Sequence, residues 1–84
     1  MEGKLVGRIS HYFGNLGVAV VELKAELKVG DVIAIVHKGG TAVEQPVTSM
    51  QMDKAQVQVA KKGQSVGLKV TAKVHEGDEV LKLA

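Results

Sequence analysis

Leu27-Lys28-Val29-Gly30-Asp31-Val32-Ile33 is echoed near the end of the chain by Val74-His75-Glu76-Gly77-Asp78-Glu79-Val80. In both stretches a Gly-Asp pair leads into a short apolar run, the composition of a tight turn feeding a strand. A further match accompanies each copy: Gly17-Val18-Ala19-Val20 and Gly67-Leu68-Lys69-Val70. Two similar half-units in 84 residues predict a small closed β-barrel with an approximate internal twofold.

Working outward, alternating apolar and polar residues mark the remaining strands. Lys4 to Tyr12 alternates loosely, with Leu5, Gly7, Ile9 and His11 on one side and Val6, Arg8, Ser10 and Tyr12 on the other. Phe13 to Gly17 reads as a turn, and Val18 to Leu23 as a strand apolar on both faces. Lys24 to Gly30 is a connection. Asp31 to His37 is a strand closed by a turn at Gly39-Gly40. Pro46 interrupts the segment from Ala42 to Met52, which is then an edge, a bulge or two strands meeting at a bend. Gln56 to Ala60, Ser65 to Val74 and Val80 to Leu83 complete the pattern, with Val66, Leu68 and Val70 inward. Short strands with turns every eight to twelve residues are the all-β signature.

Composition narrows the class. Apolar residues make up 45% of the chain, too many for disorder, and aromatics only 2%, namely Tyr12 and Phe13. The core must be aliphatic. The length suits one domain, residues 1–84. There is no cysteine, no apolar run long enough to span a membrane, and no signal-peptide pattern at the start, so the expected location is cytoplasmic, without membrane association. The formal charge is +2, unevenly placed: between Asp53 and Glu76 no acidic residue occurs, yet Lys54, Lys61, Lys62, Lys69 and Lys73 all fall there.

Three motifs, in order, carry a family resemblance: Lys28-Val29-Gly30-Asp31-Val32-Ile33, Val47-Thr48-Ser49-Met50-Gln51, and Ala60-Lys61-Lys62-Gly63-Gln64-Ser65-Val66-Gly67-Leu68. Together they resemble the second domain of translational GTPases such as elongation factor Tu, and the chain looks most like small translation elongation factor-like proteins. A similar barrel also occurs as a C-terminal appendage in some peptidases of the collagenase-like type. The resemblance implies a six- or seven-stranded translation-protein-type barrel that contacts RNA, either ribosomal RNA or the acceptor end of tRNA. No GxxxxGK[ST] loop is present, which excludes GTP hydrolysis by this chain. The acceptor-end pocket carries over poorly, because Ser49 stands where the family has an acidic residue and Ser65 where it has Asn.

The expected function is therefore a non-enzymatic, translation factor-like module that binds RNA or a ribonucleoprotein. Arg8, Lys54, Lys61, Lys62, Lys69 and Lys73 are the candidate phosphate contacts. The alternative is a protein-interaction or structural barrel, natural accessory domain or engineered scaffold, with no nucleic-acid role. Its candidate interface is Val18, Val20 and Tyr12, and the partners considered are a translation-related protein or a second copy of the chain. Phe13 is expected to plug a barrel end. His11, His37 and His75 lie on separate segments without metal-ligand spacing, so neither a metal nor a cofactor is expected, and they read as strand-end surface residues. Asp31 and Asp78 are expected to accept local N–H groups at their turns, related by the pseudo-twofold and too distant to cooperate.

Overall fold

The computed structural model describes residues 3–38 and 40–83, and these fold as an all-β domain. The strands are β1 (Gly3–Phe13), β2 (Val18–Leu23), β3 (Leu27–Lys28), β4 (Val32–His37), β5 (Gly40–Pro46), β6 (Met50–Met52), β7 (Ala55–Val57), β8 (Val59–Ala60), β9 (Ser65–Lys69) and β10 (Glu79–Leu83). Eight of them form one sheet in the order β5-β4-β10-β1-β2-β9-β6-β7, antiparallel throughout. β3 and β8 form a separate two-stranded ribbon. Pro46 ends β5, where its missing N–H costs no ladder bond, so the 42–52 segment is two strands. The expected 56–60 strand is also split. A bend at Gln58 sends Val59 and Ala60 to the ribbon, leaving Val59 exposed while Val57 packs on the core. The Gly39-Gly40 turn falls partly on Gly39, outside the described residues.

β1 corrects the simple alternation expected for it. Its register shifts twice, between Leu5 and Gly7 and between Ile9 and His11. Each bulge adds one residue and reverses the faces beyond it. Val6 and Ile9 therefore both point into the core, Tyr12 packs against it, and Leu5 is exposed. Tyr12 takes the inward place expected for Phe13, which is 45% exposed beside His11.

The expected closed barrel of six or seven strands is corrected as well. The hydrogen-bonded ladder is open, starting at β5 and ending at β7. It nevertheless curls. β5 and β9 are five interstrand steps apart, roughly 24 Å if the sheet were flat. Yet the Gln45 side chain on β5 donates from Nε2 to the Lys69 carbonyl on β9 at 2.7 Å and accepts from the Thr71 N–H at 2.9 Å. A buried side chain, not a strand-to-strand ladder, spans this gap. Inside the curl lies one aliphatic core, with Ile9, Leu23, Leu27, Ile33, Ile35, Met50 and Leu68 its largest fully buried members.

The repeated phrase is real, but it occurs three times. Lys28-Val29-Gly30-Asp31, Lys61-Lys62-Gly63-Gln64 and His75-Glu76-Gly77-Asp78 make the same turn, closed by the fourth N–H donating to the first carbonyl at 3.1 Å in each. Their glycines have φ of 101°, 88° and 89°, as the third position of a type II turn requires. The fourth side chain accepts from the first residue's N–H: Asp31 Oδ2 at 2.9 Å, Gln64 Oε1 at 2.8 Å and Asp78 Oδ2 at 2.8 Å. Each turn is then clamped to a buried residue of another segment. Gly30, Gly63 and Gly77 donate to the carbonyls of Val47, Leu23 and Ile9, whose N–H groups donate back to the carbonyls of Asp31, Gln64 and Asp78. Glutamine at position 64 hid the middle copy. The Gly17 and Gly67 match, by contrast, dissolves. β2 and β9 are adjacent, Ala19 points inward where the aligned Lys69 is exposed, and Gly17 alone has positive φ.

Candidate functional site

The third turn does more than clamp. Asp78 is 4% exposed, and its second carboxylate oxygen, Oδ1, lies 2.5 Å from Nδ1 of His37 at the end of β4. β10 pairs with β4 in a register that sets Glu79 opposite Val36, and this brings the turn before β10 alongside His37. The His75 ring stacks on the His37 ring with centroids 4.4 Å apart, and its Nδ1 is 3.9 Å from Asp78 Oδ2. Two imidazoles and a buried carboxylate thus converge from segments 41 residues apart. The cluster opens onto a depression of about 340 Å³, whose walls include Arg8, Lys38, Glu76 and Glu79. Along the chain these histidines lie on separate segments, without ligand spacing, where strand-end surface positions are expected. No local signal brings them together; only the antiparallel pairing of β4 with β10 does.

A second surface lies on the outer face of β2 and its neighbours. Val18 and Val20 are half-buried, point away from the core and lie beside Phe13 and His11 of β1. Gly67 on β9 opposes Val20, and its missing side chain leaves a shallow groove of about 280 Å³ walled by Leu16, Val18, Gln51 and Gln56. Leu16 is 68% exposed. Of the expected partner-interface residues, Val18 and Val20 share this face, whereas Tyr12 packs inward. β2 is flanked on both sides by β1 and β9, so a partner can reach it only face-on.

The cationic candidates do not assemble into one patch. Lys61 and Lys62 sit in the turn before β9 and Lys69 at its far end, roughly 13 Å of strand away. Lys54 lies in the β6–β7 turn on the Lys61 side, and Lys73 follows β9 on the other. Arg8 stands between two carboxylates, Glu22 on β2 and Glu79 on β10, its cross-strand neighbours.

Comparison with known proteins supplies the class. A family model, the C-terminal domain of peptidase family U32, matches residues 2–79, and the chain belongs to that family. It is 42% identical over 78 residues to an uncharacterized protease of Methanocaldococcus jannaschii, covering 93% of this chain and 19% of that protein. It is 33% identical over 78 residues to a collagenase of Porphyromonas gingivalis, covering 92% of this chain and 22% of that protein. The chain therefore spans about a fifth of the length of the curated relatives it matches. The crystal structure of a U32 peptidase C-terminal domain from Geobacillus thermoleovorans superposes with a TM-score of 0.88, covering 96% of this chain and 93% of that one at 17% identity, which is a likeness of fold.

These findings overturn the resemblance to translation elongation factors, and with it the expected RNA or ribonucleoprotein binding and the role in translation. The likeness to translation factors has a physical source. Two of its three motifs, Lys28 to Ile33 and Ala60 to Leu68, are turn clamps with the strands they feed. Such residues specify backbone geometry, and a fold hosts unrelated functions. No helix among the described residues is long and apolar enough to cross a membrane.

Proposed function

We propose that this chain serves as the accessory C-terminal module of a U32-type peptidase, packing the groove face of β2 and β9 against the larger part of that enzyme. The family match over residues 2–79 carries the reading, since the matched segment is a small fraction of each curated relative. The exposed Phe13 and Leu16 beside the outward Val18 and Val20 supply an apolar surface of the kind that marks interaction sites. In this reading peptide-bond cleavage belongs to the larger part, and the module holds that part in its active arrangement.

A domain exchange tests it. The M. jannaschii relative is prepared without its matching segment, and this chain is added in trans or fused in its place. The expected results are association of the two pieces, recovery of whatever hydrolysis of gelatin the intact relative shows, and loss of association with Val18→Asp or Val20→Asp in a still-folded chain. Gelatin hydrolysis by this chain alone, or association unaffected by both aspartates, overturns the reading.

A further inference from the structure

The three turn clamps act as internal controls for one another, and they single out the third. Gln64 makes the turn contact without a charge. Asp31 makes it with a partly exposed carboxylate whose further partner is a surface ammonium, Lys82 Nζ at 3.6 Å. The turn therefore needs one acceptor oxygen and neither a buried charge nor an imidazole. Asp78 exceeds that need. Its Oδ2 serves the turn, while its Oδ1 is aimed at His37, and His75 lies stacked against the same ring.

From this excess we propose that His37, His75 and Asp78 form a binding site for a divalent transition metal, zinc being the best fit. Zinc binds imidazole nitrogen at about 2.0–2.1 Å and carboxylate oxygen at about 2.0–2.2 Å, so tetrahedral donors sit roughly 3.3 Å from one another. Here the donors lie within 4.8 Å of one another, with His37 Nδ1 2.5 Å and His75 Nδ1 3.9 Å from the Asp78 oxygens. Changes of up to about 1.5 Å in these separations reach the coordination distances. Binding at Nδ1 takes the place of the hydrogen bond between His37 and Asp78, and the neutral His37 ring then carries its one proton on Nε2. The donor set of two imidazoles and one carboxylate suits zinc over calcium or magnesium, which prefer all-oxygen shells. The His75 backbone N–H on Oδ2 orients the carboxylate from behind, as outer contacts of metal ligands do. The depression bordered by His37, Asp78, Arg8 and Glu76 leaves room beside the cluster for water or for a ligand from a partner. Because His37 and Asp78 come from distant segments, a bound metal ties the end of β4 to the β10 turn.

Titration of the purified chain with zinc chloride, followed by calorimetry, and with cobalt chloride, followed by visible absorption, tests the site. The expected results are one ion per chain, a tetrahedral cobalt spectrum, and a melting temperature that rises with zinc. His37→Ala and His75→Ala each weaken binding by at least about tenfold. His11→Ala, which removes an exposed imidazole outside the cluster, leaves it unchanged. Asp78→Asn risks the turn, so the two histidine variants carry the test, with their fold checked by circular dichroism. Absence of saturable zinc binding by the wild-type chain overturns the proposal, as does binding that survives both histidine substitutions.

Discussion

Gln45 and Lys69 lie on strands five places apart in the sheet, yet the Gln45 amide donates to the Lys69 carbonyl at 2.7 Å. The same amide oxygen accepts from the Thr71 N–H and, at 3.2 Å, from the Thr71 hydroxyl. One buried amide thus does for this gap what a row of ladder bonds does elsewhere in the sheet. Gln45→Leu keeps the volume but strips the partners from two backbone groups, which costs about 1–3 kcal/mol. Gln45→Glu keeps the acceptor and loses the donor, and at neutral pH it sets a charge against the Lys69 carbonyl. Urea denaturation should rank wild type above both variants, with neither matching a surface substitution such as Gln56→Leu.

The turn glycines separate conformational from steric cost. A Cβ at Gly30, Gly63 or Gly77 meets no atom within 4 Å, but each φ lies in the left-handed region. Alanine at any of the three should cost about 1–2 kcal/mol from backbone strain alone. At Gly7 the backbone is ordinary, but a Cβ would lie 2.7 Å from the Glu22 carbonyl oxygen and 2.7 Å from Val21 Cγ1. Gly7→Ala must displace strand β2 and should cost more than any turn glycine, by thermal or chemical denaturation.

The side chain that closes the middle turn, Gln64, should be exchangeable for the aspartate of the other two. Since aspartate at positions 31 and 78 satisfies the same N–H that Gln64 does, Gln64→Asp should change stability by no more than about 0.5 kcal/mol. Gln64→Leu should lose about 1 kcal/mol, the net worth of the hydrogen bond. Equal losses in the two variants would show that the side chain does not support the turn.

Adjacent valines on β2 test the facing of the strand. Val21 is fully buried and Val20 only half-buried on the outer face. Val21→Asp buries an unpaired carboxylate and should unfold the chain at room temperature. Val20→Asp should cost about 1 kcal/mol and leave circular dichroism unchanged. That tolerance also makes Val20 usable as the probe of the docking face.

Much of the fold was legible because strands announce themselves locally. Val18 to Leu23 and the inward set Val66, Leu68 and Val70 stand in the structure where the alternation puts them. Gly-Asp marked two of the three clamps, since a left-handed residue followed by a short acceptor is a local requirement. The bulges in β1 escaped notice because an extra residue leaves no compositional mark, and each reversed the faces that followed. The metal-type cluster escaped for a different reason. Ligand spacing is a signal along the chain, whereas His37 and Asp78 meet across paired strands.

Taken alone, the sequence determined that this chain forms short aliphatic strands joined by glycine-dependent turns, because side-chain period and backbone freedom act over a few residues. Tertiary structure decided that the sheet curls without closing, that Gln45 spans the gap, and that His37, His75 and Asp78 share one corner. Those outcomes depend on register and strand order, which are set by how distant segments pack around a common core.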